Sequence, residues 1–244
     1  MRLAVLADIH GNIDALRAVA QDLKTQSPDL TVNLGDCLSG PLWPAETADY
    51  LIAANWPTVR GNHDRWLTSP LDPPGPWEID TLPHLAPAHH TWLASLPPTL
   101  SVEGAFLCHA TPQDDTTYWL HHVRPDGTFA SSPRARIAEL AGDRPERLLL
   151  CGHTHLAAAA CLPDGRLVLN PGSVGAPGYE DDHPVYHRVE AGTPHASYAI
   201  LDQKGDDWSV TFRRIPYDTG PAIARAADQR DWASALASGW LPEV

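Results

Sequence analysis

The chain has few basic residues, and it contains no long apolar run. Its 244 residues include 17 Lys and Arg against 30 Asp and Glu, which gives a formal net charge of -13. This balance argues against an extended nucleic-acid surface, because long-range electrostatics would oppose a polyanion. No stretch is long enough to cross a bilayer, so the sequence predicts no membrane contact.

Cysteine is also scarce, and the four cysteines form no C-x-x-C pair. This spacing argues against a zinc knuckle and against a thioredoxin motif. Cys37, Cys108 and Cys151 lie at predicted strand ends, where we expect small buried side chains. Reduced cysteines are typical of the cytoplasm, and the apolar run at the N-terminus is too short for a signal peptide. We therefore expect a cytoplasmic protein.

The pattern of apolar residues predicts an α/β fold. Residues 3–7 and 30–34 are typical of buried strands, with helical spacing between them and a second helix beginning at Pro44. A short third strand at 58–60 completes a β-α-β-α-β opening, which indicates a parallel sheet with right-handed crossovers. No convincing boundary interrupts the chain, and we predict one domain over residues 1–244.

Two segments depart from this pattern. Residues 65–98 contain eight of the 24 prolines, so we expect irregular structure there apart from a short helix. The segment is either a lid that brings Trp66 and Trp77 to a substrate or an irregular surface connection. Residues 178–193 are interpreted as a loop insertion that rims the pocket, mediates dimer contacts or is simply solvated. Formation of a homo-oligomer stays open.

Side chains that bind metals follow several of the predicted strands. In chain order they are Asp8-x-His10, Gly35-Asp36, Gly61-Asn62-His63-Asp64, His109 and Gly152-His153-Thr154-His155. Strand ends of an open α/β sheet converge on one crevice, where these groups would form a site for divalent metals. Singly, each has an ordinary explanation, such as a helix cap at Asp8 or a turn at Asn62. Their joint occurrence favours the metal site.

The residue types suit different tasks in such a site. The carboxylate of Asp36 could bridge two ions through its two oxygens, and the side-chain oxygen of Asn62 is a suitable hard ligand. His63 would then be free for proton transfer, with the neighbouring Asp64 placed to orient its ring.

These motifs carry a family resemblance. The set resembles the calcineurin-like metallophosphoesterase superfamily, whose pattern is D-x-H, G-D, G-N-H-[DE], H and G-H-x-H. Two further blocks, at 109–112 and 170–175, are similar to those of its small bacterial phosphodiesterase branch. The resemblance implies a four-layer α-β-β-α sandwich with two mixed β-sheets, the metallo-dependent phosphatase fold.

The resemblance also implies roles for individual residues. One ion would be held by Asp8, His10 and His155. The other would be held by Asn62, His109 and His153, and Asp36 would bridge the two ions. His63 would be the catalytic histidine, which protonates the leaving oxygen or stabilises the phosphoryl charge, and Asp64 would be its partner. The phosphate-gripping arginines of related branches have no match in this sequence, and we expect Asn12 or Arg60 to contact the phosphate instead.

The implied activity is that of a dinuclear metal-dependent phosphoesterase, and we expect a phosphodiesterase that uses a metal-bridging hydroxide. The expected partner is a small phosphoester, with cyclic and linear nucleotides among the candidates. Manganese is the expected metal, with iron, zinc, cobalt and nickel as alternatives, because mixed nitrogen and oxygen ligands do not select among them. Two alternatives stay open: a phosphomonoesterase acting on nucleotides or phosphoproteins, and a non-catalytic adaptor on the same fold. Adaptors that resemble this superfamily have lost ligands or the catalytic histidine, whereas this chain keeps all of them, which counts against the second alternative.

Overall fold

Strands and helices alternate along the first half of the chain, and strands dominate the second half. The computed structural model describes residues 1–69 and 71–243, so Pro70 of the segment 65–98 and Val244 of the predicted domain lie outside the described residues. In chain order the strands are β1 (Arg2–Leu6), β2 (Leu30–Asn33), β3 (Thr99–Val102), β4 (Ala105–Cys108), β5 (His121–Val123), β6 (Phe129–Ser131), β7 (Leu148–Leu150), β8 (Ala158–Cys161), β9 (Leu167–Asn170), β10 (Gly178–Asp181), β11 (His187–Glu190), β12 (Ala196–Lys204) and β13 (Asp207–Ile215).

The helices lie mostly between strands of the first half and at the C-terminal end. They are α1 (Ile13–Gln26), α2 (Pro44–Ala54), α3 (Asn62–Thr68), α4 (Pro76–Thr81), α5 (Pro87–Ser95), α6 (Arg134–Ala141), α7 (Gly220–Arg225) and α8 (Arg230–Ser238), with a 3₁₀ turn (Leu82–His84) after α4. Within residues 1–69 and 71–243, none of the helices is long and apolar enough to cross a bilayer.

Two mixed sheets form the centre of the fold. The first has the order β13-β12-β1-β2, in which β1 and β2 are parallel and the other pairs are antiparallel. The second has the order β3-β4-β7-β9-β8, with a parallel centre of β4, β7 and β9. The predicted third strand at 58–60 is reduced to one parallel bridge between Thr58 and Asn33.

Four layers follow from the way these sheets are buried. Alternate residues of β1, such as Leu3 and Val5, pack against Leu107 and Leu150 of the second sheet, which explains the continuous apolar run of a strand buried on both faces. The opposite face of β1 packs against α1, and the outer face of the second sheet packs against α6. The predicted α-β-β-α sandwich with two mixed sheets is confirmed, whereas the single domain stays a prediction.

The expectation of irregular structure at 65–98 is wrong, because helices occupy much of this segment. Pro76 and Pro87 stand in the first turn of α4 and α5. A proline is favourable there, since its missing N–H would have no partner within the helix and its φ already suits the helix. Proline content alone therefore could not separate an irregular loop from a series of short helices.

Residues 178–193 were also interpreted wrongly as a loop. They form an antiparallel hairpin of β10 and β11, in which Gly178 pairs with Glu190 and Asp181 pairs with His187. The hairpin is anchored because Val189 is buried and α8 packs beside Gly178. The acidic residues at the tip of the hairpin are typical of a solvated loop, and they gave no indication of this burial in the sequence.

Candidate metal centre

Six of the seven predicted ligands lie on turns that follow two pairs of adjacent strands, one pair in each sheet, and Asn62 is the first residue of α3. Asp8 and His10 follow β1, Asp36 follows β2, His109 follows β4, and the His153 turn follows β7. Backbone hydrogen bonds join these turns: the N–H of Asp8 donates to the Gly35 carbonyl at 3.0 Å, and the N–H of Gly152 donates to the His109 carbonyl at 2.7 Å. The strand ends therefore meet at one edge of the sandwich, as parallel strands require.

Two glycines allow this close approach. A Cβ on Gly61 would overlap Oδ1 of Asp36, and a Cβ on Gly35 would lie 2.5 Å from the backbone nitrogen of Gly61. Gly35 also has a φ of +95°, which side chains disfavour. The glycines of the G-D and G-N-H-D motifs thus bring two turns into direct contact.

The backbone of the ligands is strained. Five of the seven predicted ligands have positive φ angles: Asp8 at 55°, His10 at 49°, Asp36 at 53°, His153 at 70° and His155 at 55°. Such conformations cost on the order of 1–3 kcal/mol each, and they persist where the surrounding structure enforces them. Their concentration on these turns indicates a site where the fold maintains the direction of the side chains despite unfavourable backbone conformations.

The first group contains Asp8, His10 and His155, all of them buried. Nε2 of His10 lies 3.2 Å from Nε2 of His155, and Nε2 of His155 lies 3.6 Å from Oδ1 of Asp8. Ligand atoms of the three residues all lie within 4.8 Å of one another, so one ion would reach them together.

The second group contains Asp36, His109 and His153, with Asn62 beside them. Nε2 of His109 lies 3.1 Å from Oδ2 of Asp36 and 3.0 Å from Oδ1 of Asn62. The same Oδ2 of Asp36 is 3.8 Å from Nε2 of His10 in the first group. Asp36 therefore stands between the two groups, in the place of a bridging ligand.

Backbone carbonyls orient all four imidazoles. Nδ1–H of His10 donates to the Ser39 carbonyl at 3.0 Å, and Nδ1–H of His109 donates to the Leu34 carbonyl at 2.8 Å. Nδ1–H of His155 donates to the Ala176 carbonyl at 2.7 Å. The remaining Nε2 of each ring is then left as a ligand atom. His153 is reversed, because its Nε2 lies 2.9 Å from the Thr116 carbonyl and leaves Nδ1 available. Metal-ligating histidines are typically held in this way.

Burial favours the protonation states that bind metal at most of these groups. It lowers the pKa of His10 to about 3 and that of His153 to about 4, so both rings are neutral. Burial raises the pKa of Asp8 to about 8, which a nearby cation would reverse. His109 differs: burial lowers its pKa, but the Asp36 charge outweighs burial and raises it to about 10. An ion at the second group would replace that proton as the partner of Asp36.

His63 lies beside both groups without belonging to either. Its ring centroid is 5.4 Å from that of His10, and its backbone N–H donates to Oδ1 of Asp36 at 2.9 Å. Trp77 stacks on the His63 ring at 5.0 Å, and Nδ1 lies 2.6 Å from Oε1 of Glu78. Burial lowers the pKa of His63, but the charges of Asp36 and Glu78 outweigh burial and raise it overall.

A cavity of about 950 Å³ opens over these side chains. Aromatic residues form much of its wall: Trp66, Trp77, Tyr118 and Tyr179. Arg136 of α6 also lines it, and the β10–β11 hairpin contributes Asp181 to the rim. A site of this size holds a small organic molecule with several polar groups.

Comparison with known proteins agrees with the geometry. The calcineurin-like phosphoesterase superfamily domain matches residues 1–204. The chain belongs to the calcineurin-like phosphoesterase superfamily. An uncharacterized protein of Methanocaldococcus jannaschii is 25% identical over 252 aligned positions, covering 93% of each chain.

Solved structures show the same fold. A metallophosphoesterase from Sphaerobacter thermophilus has a TM-score of 0.73 and 24% identity, covering 98% of this chain and 99% of its own. A candidate diadenosine tetraphosphatase has a TM-score of 0.53 and 15% identity, covering 86% of this chain and 93% of its own. The superfamily predicted from the motifs is confirmed.

The superfamily motif misled the assignment of Asp64. Its carboxylate accepts three backbone N–H groups, from Asp36 at 2.8 Å, Cys37 at 2.9 Å and Gly61 at 3.0 Å. Asp64 occupies the third position of α3, from which a carboxylate reaches back to the residue that caps the helix. The prediction that it orients His63 is therefore wrong. Glu78 occupies that place, and no motif pointed to it.

Neither predicted phosphate contact is in the cavity. Asn12 is fully buried: its Oδ1 accepts the N–H of Ala15 to cap α1, and its Nδ2 donates to the Gly175 carbonyl at 3.0 Å. Arg60 is absent from the described residues that line the cavity, and its backbone N–H donates to Pro97. The predicted contact of Asn12 is wrong, because its side chain caps α1 instead, and the contact of Arg60 stays a prediction. Sequence adjacency to a motif does not reveal which side of the turn a side chain takes. Arg136, far along the chain, is the arginine that lines the wall among the described residues.

Proposed function

We propose that this member of the superfamily is a dinuclear metal-dependent phosphoesterase that hydrolyses phosphodiesters. One observation carries the proposal: two groups of buried ligands share Asp36, and His63 lies beside them at the same cavity. Burying this many imidazoles and carboxylates without a cation would be costly. The donor set, with one orienting carbonyl for each imidazole, suits two divalent ions.

The roles of the side chains follow from their positions. One ion would be held by Asp8, His10 and His155, and the other by Asn62, His109 and His153. When bound, two such ions lower the pKa of water and offset the charge of phosphoryl oxygens. We propose manganese, with iron, zinc, cobalt and nickel as alternatives.

His63 would protonate the leaving oxygen. Its Nδ1 is engaged by Glu78, which leaves Nε2 for the substrate. Trp77 stacks on one face of the half-buried ring and shields that face from bulk water. A proton delivered at this atom lets a poorly leaving alkoxide depart as an alcohol.

Cavity size supports a diester with large substituents. A volume of about 950 Å³ exceeds what a phosphate group requires, and aromatic walls such as Trp66 and Tyr118 suit nucleotide bases. Arg136 adds a positive charge to the wall, complementary to an anionic substrate. We therefore place linear and cyclic nucleotides first among the substrates, as expected for the small bacterial phosphodiesterase branch. The free thiols of the four cysteines support a cytoplasmic location.

Two alternatives make different predictions. A phosphomonoesterase would use the same ligands, so the pocket wall decides between the two ester types. A non-catalytic adaptor would not need His63, its Glu78 partner or a cavity over the ligands. The presence of all three favours an enzyme.

A substrate panel tests the proposal. Phosphomonoesters, linear phosphodiesters and 2′,3′- and 3′,5′-cyclic nucleotides are assayed with manganese, iron, cobalt, nickel and zinc, and we expect diesters to be the better substrates. Absence of turnover with every metal and both ester classes would reject an enzyme, and preference for monoesters would select the alternative.

His63→Ala provides the mechanistic check. We expect the variant to retain two metals per chain by elemental analysis and to lose about 10²–10⁴-fold in kcat, the usual contribution of an acid–base residue. His195→Ala, at an exposed histidine, is the matched control and should behave as wild type. Loss of metal from His63→Ala would mean that His63 is a ligand.

A further inference from the structure

The contact between Glu78 and His63 assigns a role to a residue outside the superfamily motifs. We propose that Glu78 is the positioning residue of His63: it accepts the Nδ1–H hydrogen bond and holds the ring so that Nε2 faces the cavity. The proposal rests on the proposed function, in which His63 protonates the leaving oxygen. It also has a structural consequence that can be measured without turnover.

The contact has the geometry of a short hydrogen bond between two side chains. Nδ1 of His63 and Oε1 of Glu78 are 2.6 Å apart, and the side chain of Glu78 is 2% exposed against 19% for His63. In the proposed arrangement Nδ1–H of His63 donates this bond and Oε1 of Glu78 accepts it. With Nδ1 committed, both the rotation of the ring and its tautomer are set.

Asp64, the neighbouring carboxylate in the motif, is bonded to the backbone instead of the His63 ring. Three backbone N–H groups already occupy its two oxygens, and these bonds fasten the turn of Asp36 to the start of α3. Trading them for a bond to His63 would leave buried donors without partners, which is costly. Glu78 is therefore the carboxylate that is bonded to the His63 ring and could orient it.

The element that carries Glu78 is itself anchored to the metal-binding turns. Thr81, at the end of α4, accepts the N–H of Gly40 at 2.9 Å, one residue after Ser39, whose carbonyl orients His10. Asp80 accepts a further hydrogen bond from Gln229 at 2.6 Å. These bonds fix the height of α4 over the site and so the reach of the Glu78 carboxylate.

Trp77 strengthens this placement from the adjacent position. Its ring stacks on His63 with an interplanar angle of 18° and contacts Trp232 at 4.9 Å. The same short helix therefore holds the His63 ring by its face through Trp77 and by its edge through Glu78. Both contacts restrain the same ring, which supports a role for this helix in positioning His63.

The first readout is the position of the proton. In ¹⁵N-labelled protein, both metal-free and zinc-loaded, we expect the His63 ring to show a low-field proton on Nδ1. Glu78→Met keeps the approximate volume but removes the acceptor, so this signal should disappear. Glu78→Gln keeps a neutral acceptor and should retain it in part. An unchanged signal in Glu78→Met would overturn the proposal, whether or not the protein is active.

The second readout is the dependence on the leaving group. Two diesters of the same nucleoside are compared, one releasing 4-nitrophenolate and one releasing a nucleoside alcohol. Because nitrophenolate departs without a proton, Glu78→Met should lower kcat at least about tenfold more for the alcohol-releasing diester, within the range of acid catalysis. An equal loss for both diesters would mean that Glu78 binds substrate or only supports the fold.

A double variant and a control complete the design. In a His63→Ala background, Glu78→Met should change kcat by less than about twofold, since residues that act as a unit are not additive. Full additivity would contradict positioning through His63. Glu46→Gln, at an exposed glutamate of α2, is the control for the charge change. If the wild-type protein hydrolyses no ester, the proposed function fails, and the proton readout still decides the role of Glu78.

Discussion

Replacing Asp64 should reveal a structural anchor instead of a catalytic group. Its carboxylate accepts three buried backbone N–H groups, from Asp36, Cys37 and Gly61. Leaving a buried donor without a partner costs about 1–3 kcal/mol. Burial raises the pKa of Asp64, so the charged carboxylate is itself unfavourable there. We therefore use the lower end of the range, about 1 kcal/mol for each of the three donors. Asp64→Ala should thus lower the free energy of unfolding by about 3 kcal/mol.

Asp64→Asn should cost less, in proportion to the bonds that it loses. One amide oxygen can replace Oδ2, which accepts from two of the donors, while the NH₂ group would face the N–H of Cys37. We expect a loss of about 1–2 kcal/mol for this variant, and a Tm lower by a few degrees, at about 2–4 °C per kcal/mol for a chain of this size.

Urea denaturation and thermal melting, together with kcat at saturating metal, form the assay. Since Asp64 fastens the turn of Asp36 to α3, metal affinity should fall, while kcat at saturating metal stays within about threefold of wild type, as for a residue that makes no transition-state contact. Asp143→Asn, at an exposed aspartate, should change stability by less than about 0.5 kcal/mol. Unchanged stability of Asp64→Asn with a large loss of kcat would refute the assignment and restore Asp64 as the partner of His63.

Two further predictions concern the turns and the outer face of the first sheet. Gly61→Ala should lower metal occupancy measured by elemental analysis, because the added Cβ would overlap Oδ1 of Asp36; occupancy equal to wild type would contradict this packing. At Asp22, burial raises the pKa, but hydrogen bonds from Arg213 and Tyr198 outweigh burial and lower it below its usual range. A depressed folded-state pKa stabilises the fold above the unfolded-state pKa of about 4, and the stabilisation is lost as pH falls through the folded-state value. The difference in free energy of unfolding between wild type and Asp22→Asn should therefore shrink below pH 4; a difference that is constant from pH 7 to pH 3 would argue against this linkage.

Much of the ligand set could be predicted from the sequence because each ligand is local to a strand end. Asp8, Asp36 and His109 each come within three residues of the strand that positions them. The parallel arrangement of β1 with β2 and of β4 with β7 then brings the turns to one edge. Local sequence is sufficient for this part of the site, since strand direction already determines where the turn points.

Prediction failed where the direction of a side chain depends on the packing of another element. Asp64 directly follows His63 in the chain, yet its position at the start of α3 turns its carboxylate toward the backbone of the Asp36 turn. The β10–β11 hairpin was missed for the same reason, because the burial of Val189 depends on neighbouring packing. Neither the direction of the Asp64 carboxylate nor the hairpin can be recognised from a short stretch of sequence.

The sequence by itself determined the superfamily, the layered α/β fold and the residues with the chemistry to hold two ions. Those features depend on motifs and on alternation of apolar residues, which are properties of short stretches of chain. Only the tertiary structure decided that the Asp64 carboxylate turns to the backbone of the Asp36 turn and that Glu78, fifteen residues beyond His63, is the carboxylate on the His63 ring. Contacts between distant elements follow from how α4 packs on the sandwich, and that packing is a property of the whole fold.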